Sequence, residues 1–278
     1  MNRPAVLLLD FDGTVCVGDG PVRAYAEAVV TAVLDAATTD ADRAAGRALD
    51  EELRQGLETY LDTAAVDAGT GAPVDGSFAA DVPPVDGSFA ADVPPVDGYA
   101  AVAALAARYA TPAQLDAAYT ASREALATSG LDVAAPEGLI DLLHELGPAV
   151  ERVLVTNAPA RGVVETLARL GLADVLDDVV TSAAKPAGWD RILPAYLAGR
   201  PSAAVLAVGD VWRNDVEPPL AAGCATALID RFGHRPGAAH AAARTFEELY
   251  PVVREWAGDP EGFVARHDPV VHGLAAAR

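Results

Sequence analysis

Lys185 is the single lysine of a 278-residue chain that otherwise carries its positive charge on arginine, and it stands in the run Thr181-Ser182-Ala183-Ala184-Lys185-Pro186. An ammonium is a compact point charge and a guanidinium a planar fork, so one lysine among arginines suits a crowded site that needs a small cation. A composition heavy in Ala, Arg and Asp offers a competing explanation, chance survival. The neighbouring polar residues sharpen the first reading. Asp10 and Asp12 follow the apolar run Ala5–Leu9 and lead into Gly13 and Thr14; Thr156 and Asn157 follow residues 151–155; Asp210 and Asp215 follow residues 203–208 and Gly209. Paired carboxylates serve acid–base work, and they suit Mg²⁺, which takes oxygen ligands and often completes its shell with substrate phosphate. A Thr hydroxyl beside the N–H groups of a helix start can cradle an anion, although Thr-Asn-x-Pro is as often an ordinary helix cap.

The elements that must position these residues are strands. Ala5–Leu9 reads as a strand buried on both faces. Residues two apart on a strand share a face, so Asp10 and Asp12 are expected to converge beyond its carboxyl end, where open α/β sheets place their ligands. Gly13 permits a tight turn and a close backbone approach. Residues 151–155 and 203–208 read as further strands, with Pro159 suited to the first turn of a helix. Between Thr14 and a helix opening near Pro136 the chain shows little strand character. Helices are expected there over residues 21–37, 40–65, 99–109 and 112–128, the second with an apolar stripe of Leu49, Leu53, Leu57 and Tyr60.

The order and wording of these segments resemble the haloacid dehalogenase (HAD) superfamily. Its first motif, Asp-x-Asp-x-Thr, is matched by Asp10, Asp12 and Thr14; its second by Thr156 at a strand end; its third by Lys185; and its fourth, Gly-Asp-x-x-x-x-Asp, by Asp210 and Asp215. The resemblance covers residues 1–15 and 133–245. It implies a Rossmann-like, doubly wound parallel α/β core over residues 1–15 and 133–278, with an inserted α-helical cap over residues 16–132. It also implies that Asp10 attacks phosphorus and Asp12 shuttles the proton. Asp10, Asp12, Asp210 and Asp215 would serve Mg²⁺, while Thr156, Asn157 and Lys185 would hold the phosphate. A helical cap of this kind would close over the metal and exclude water.

The resemblance also discriminates among activities. Family members that dehalogenate lack the second acid of the first motif, because a halide leaves without protonation; Asp12 argues against that chemistry here. A Schiff-base lysine in the cap, as in phosphonoacetaldehyde hydrolases, is excluded while Lys185 belongs to the third motif. The expected activity is Mg²⁺-dependent hydrolysis of phosphate monoesters of a small metabolite through an aspartyl-phosphate. The alternatives are a phosphomutase of the same superfamily and a non-catalytic HAD-like binding protein.

Residues 73–83 recur residue for residue as 84–94, and Pro95-Val96-Asp97-Gly98 begins a third copy; Pro, Gly and acids without a base make a mobile loop over residues 70–98 the expectation. Arg43, Arg47 and Arg54 fall on one side of the second helix, where Asp50, Glu51 and Glu58 at i+3 or i+4 offsets favour a salt-bridged solvent face over an anion site. Trp212 and Arg213 stand inside the fourth motif and could line a site entrance or simply pack a loop. A formal net charge of −20 argues against nucleic acid or anionic membrane as partner. The same field repels phosphate esters, so local charge at the site must prevail over it. No run has the length of a membrane span and no signal core precedes Asp10, so a cytoplasmic enzyme is expected. Cys16 and Cys224, and His144, His234, His240, His267 and His272, have no ligand spacing. No role is assigned to the tail beyond Gly258.

Overall fold

The computed structural model describes residues 4–64 and 95–271. Its strands are β1 Ala5–Leu9, β2 Val150–Val155, β3 Asp178–Val180, β4 Val205–Gly209, β5 Ala225–Ile229, β6 Ala238–Ala239, β7 Ala241–Ala243 and β8 Val270–Val271. Six of them form one sheet in the order β3-β2-β1-β4-β5-β7, and every pairing in it is parallel. The chain leaves β1 for β2 and β3 on one side and returns to β4 and β5 on the other. The order therefore reverses between β1 and β4, which is where doubly wound sheets open a crevice at their carboxyl ends. Val6, Leu7, Leu8 and Leu9 are all buried, as are Val153–Val155 and Leu206–Val208, so the central strands meet no water on either face.

Two compact units divide the chain: Met1–Val17 with Ala134–Arg278, and Gly18–Val133. In the second, the described residues are helical: α1 Gly20–Asp35, α2 Asp40–Thr63, α3 Gly98–Ala106 and α4 Pro112–Ser129. A capping box opens α2 at Thr39 and Asp42 and another opens α4 at Thr111 and Gln114, while Ala64 and Gly130 end them in left-handed conformation. The stripe of Leu49, Leu53, Leu57 and Tyr60 is buried. On its exposed side Arg54 pairs with Asp50 at 2.6 Å and Glu51 at 3.2 Å, two of the acids that the sequence assigns to a salt-bridged face, whereas Arg43 pairs with Asp40 and Glu58 with Arg23 of α1. Tyr25, Tyr99 and Tyr119 form a ring cluster with centroids 5.6–6.1 Å apart, and the buried Arg123 guanidinium lies 5.0 Å over two of them. Most of the eleven-residue repeat, residues 70–94 of the expected loop, lies outside the described residues; Gly98 already belongs to α3.

The core unit adds α5 Leu139–Leu146, α6 Ala160–Arg169, α7 Trp189–Leu197, α8 Glu217–Ala221, α9 Tyr250–Gly258 and α10 Pro260–Arg266. Three strands of the six-stranded sheet escape pattern reading, as does the β6–β8 pair. β3 is three residues long and largely exposed, β7 is Ala-Ala-Ala, and β5 is a short Ala-rich run followed by a single acid, Asp230, rather than by a pair. The tail also belongs to the fold: Phe263 on α10 is fully buried, and β8 pairs antiparallel with β6. No helix among the described residues is long and apolar enough to cross a membrane.

Candidate active site

Register brings the acids together. Leu9 pairs with Leu154 on one side and with Val208 on the other, so β1, β2 and β4 end at one level and deliver Asp10, Thr156 and Asp210 to the same edge. The Asp10 N–H donates to Val208 O at 3.0 Å. Beyond Leu9 the chain is a turn rather than more strand, with the N–H groups of Thr14, Val15 and Cys16 converging on Phe11 O. Asp10 is thus placed by the last ladder bond of the strand and Asp12 by this turn and not by strand alternation, a correction to the geometry expected from sequence. Gly13 has φ +75°, and a Cβ there would fall 2.3 Å from Asp210 Oδ2; glycine lets the first motif lie against the carboxylate of the fourth.

The Lys185 ammonium sits at the centre with its side chain 2% exposed. It donates to Asp10 Oδ1 at 2.7 Å, Asp215 Oδ1 at 2.6 Å and Val155 O at 2.7 Å, which uses all three of its protons. Burial alone would favour neutral lysine, yet the Asp10 and Asp215 carboxylates outweigh it and hold Lys185 above its ordinary pKa. Asp10 moves up to about 7: burial pushes hardest, Lys185 opposes it, and the charges of Asp215 and Asp12 push again. Asp215 is fixed on its other oxygen by the Val211 N–H at 3.0 Å. A Cβ on Gly209 would fall 2.3 Å from Asp215 Cβ, so this strand end too must be glycine. Asp215 rides on a π-helical turn, Trp212–Val216, a local widening of helix that recurs at functional sites.

Asp10, Asp210 and Asp215 offer carboxylate oxygens within 4.8 Å of one another, and Asp12 lies outside this cluster. The donors are oxygen only, and one ammonium faces several carboxylates. That set fits a hard divalent cation such as Mg²⁺ better than a nitrogen- or sulfur-seeking metal.

The remaining residues have more specific duties than their types suggest. Asn157, expected among the phosphate ligands, spends its amide on the backbone of Lys185: its Oδ1 accepts the Lys185 N–H at 2.5 Å and its Nδ2 donates to Lys185 O at 3.0 Å. Thr156 is buried, and its Oγ1 accepts the Ala158 N–H at 3.0 Å. Pro159 stands at the N-cap and not in the first turn. Arg161 and Gly162 are non-helical, so regular helix begins beyond them, with the Gly162 N–H taken by Glu165 Oε2 at 2.8 Å. Trp189 is missed by motif reading. Its indole N–H donates to Asn214 O at 2.5 Å and ties the helix after Lys185 to the turn that carries Asp215. Its only sequence signal is a position four residues past the lysine.

Neither protein-family models nor curated proteins match the chain. Solved structures do. YfnB of Bacillus subtilis, described as a HAD-hydrolase and bound to magnesium, is 16% identical with a TM-score of 0.54, over 91% of this chain and 99% of its own. A haloacid dehalogenase-like family hydrolase from Xanthomonas campestris is 15% identical with a TM-score of 0.50, over 94% and 98%. A haloacid dehalogenase-like protein of unknown function from Agrobacterium tumefaciens is 14% identical with a TM-score of 0.50, over 91% and 99%. The chain has the HAD-like α/β fold.

Proposed function

We propose that this chain is a Mg²⁺-dependent phosphomonoesterase that works through an aspartyl-phosphate on Asp10. The observation that carries the reading is Lys185 bridging Asp10 and Asp215 within an oxygen-only carboxylate cluster at the sheet's switch point. Asp12 then favours phosphate esters over haloacids, since an alkoxide needs a proton to leave and a halide does not. Lys185 holds Oδ1 of Asp10, and the second carboxylate oxygen attacks phosphorus in line. Asp12 gives its proton to the departing alkoxide, then takes one from the water that cleaves the acyl phosphate and releases inorganic phosphate. Bound Mg²⁺ would be held by Asp10, Asp210 and Asp215, and would supply charge neutralisation for the crowded anions. Lys185 adds a fixed positive charge to the same task, and Asn157 keeps its backbone in place. The Thr156 hydroxyl and neighbouring N–H groups are assigned to the phosphate oxygens. The helical unit, inserted in sequence between Asp10 and Thr156, is the candidate for the cap that the resemblance implies.

The test is release of inorganic phosphate from a panel of phosphate esters, with and without Mg²⁺, using wild type beside Asp10→Asn. Metal-dependent release that the variant loses is the expected result. In Asp12→Ala, an ester with a good leaving group should leave one phosphoryl group on the protein, visible by intact mass. No release from folded wild type, or halide release from a haloacid, would overturn the reading.

A further inference from the structure

We propose that Trp189 is a positioning residue for the carboxylate of Asp215 that would hold Mg²⁺, and that Pro218 and Pro219 create the need for it. This rests on the phosphatase reading and adds to it how that carboxylate is held. Asp215 rides on the turn Trp212–Val216, in which the Glu217 N–H donates to Trp212 O five residues back. A carbonyl in such a turn is satisfied by an N–H three, four or five residues on. For Asn214 O those residues are Glu217, whose N–H is already engaged, and Pro218 and Pro219, which have none. A proline ring also crowds the carbonyl four residues before it, so Pro218 works against a tight α-turn at Asn214. Asn214 is buried, and a buried carbonyl without a donor is costly. Trp189 supplies the donor: its indole N–H meets Asn214 O at 2.5 Å.

That donor comes from the segment that carries the lysine. The Gly188 N–H donates to Ala184 O at 2.7 Å and the Trp189 N–H to Pro186 O at 3.2 Å, so Lys185 and Trp189 stand on one closed turn. Trp189 is buried and lines the same small cavity as Asp10, Lys185 and Asp215. Two bonds therefore join this turn to the one that bears Asp215: Lys185 Nζ to Asp215 Oδ1 at 2.6 Å, and Trp189 Nε1 to Asn214 O at 2.5 Å. The first fixes the side chain of Asp215. The second fixes the peptide group that links Asn214 to it, which a bond to the carboxylate alone would leave free to rotate. Mg²⁺ demands near-ideal octahedral geometry, so a carboxylate anchored at both ends binds it better than one that must first be ordered.

Calorimetric titration with Mg²⁺ tests the device, with phosphate release measured beside it. Trp189→Phe keeps a ring in the core and removes the N–H. It should weaken Mg²⁺ binding by about tenfold or more, and lower kcat with little change in KM. Adding Pro219→Ala supplies an N–H five residues after Asn214, in the register of the Glu217 bond, and should recover most of the affinity. A backbone donor cannot repair packing lost with the indole, so the recovery separates positioning from bulk. Should Trp189→Phe alone fail to fold, a folded double variant with wild-type Mg²⁺ affinity still supports the device. Wild-type affinity in Trp189→Phe, a loss that Pro219→Ala leaves undiminished, or failure of both variants to fold by circular dichroism would overturn it. Affinity lost and regained in this way, with no ester turned over by any of the three proteins, would sink the phosphatase and keep the positioning role. Turnover by wild type with Mg²⁺ affinity untouched in Trp189→Phe would do the reverse, and a wild type that does not bind Mg²⁺ would sink both.

Discussion

Lys185 Nζ donates to Asp10 Oδ1 at 2.7 Å across a sequence separation of 175 residues. Two further acceptors, Asp215 Oδ1 and Val155 O, complete a shell that matches the three protons of an ammonium rather than the planar fork of a guanidinium. Lys185→Arg should therefore lose about 100-fold or more in kcat for phosphate release, because the charge is kept but misplaced. Turnover at the wild-type rate would mean that the lone lysine is an accident of composition.

Asn157 grips the backbone of Lys185 from both sides, so its part is to position the lysine. In Asn157→Ala the expected loss is about tenfold in kcat with little change in KM, together with about 1–3 kcal/mol of stability from the orphaned Lys185 N–H. Asn157→Asp keeps the acceptor for that N–H and should recover part of the stability in urea unfolding. A rise in KM alone would instead make Asn157 a substrate contact.

Mg²⁺ should raise the thermal midpoint of the wild-type protein, since the cation relieves repulsion among Asp10, Asp210 and Asp215. At 100 times its dissociation constant a ligand bound only by the folded state stabilises by about 2.7 kcal/mol. Asp210→Asn should lose most of the shift while remaining folded. An undiminished shift in that variant would place the metal elsewhere.

Away from the site, Arg152 closes the amino-terminal end of β2 on Asp177 with Nε 2.8 Å from Oδ2 and Nη2 3.0 Å from Oδ1. Those side-chain hydrogen bonds hold the Asp177 carboxyl below its ordinary value. A depressed carboxylate contributes stability above the unfolded pKa of about 3.9 and loses it as pH falls through the folded value. Asp177→Asn should thus cost about 1 kcal/mol at neutral pH, discounted because Asp177 is 40% exposed, and progressively less below about pH 4. Urea unfolding of both proteins across that range reads the difference. A cost independent of pH would show that the pair contributes through packing alone.

The candidate site was legible in the sequence because Asp10, Thr156, Asn157 and Asp210 stand just past apolar runs, and because Lys185 is the single lysine. Such a run reads as a buried strand, and a buried strand delivers the residues just past its carboxyl end to the sheet's edge. The helices of the inserted unit were legible through their period, most plainly that of Leu49, Leu53, Leu57 and Tyr60. The three-residue β3 and the all-alanine β7 carried no such signal, because their pairing is dictated by neighbours rather than by their own side chains. Only the tertiary structure decided that Asn157 serves Lys185 and that Trp189 binds Asn214 O. Each of these depends on a distance between segments far apart in the chain, and residue types alone do not encode such distances. The physical reason is register: once Leu9 pairs with both Leu154 and Val208, the three strand ends share one level, and every loop that leaves them is committed to the same small space.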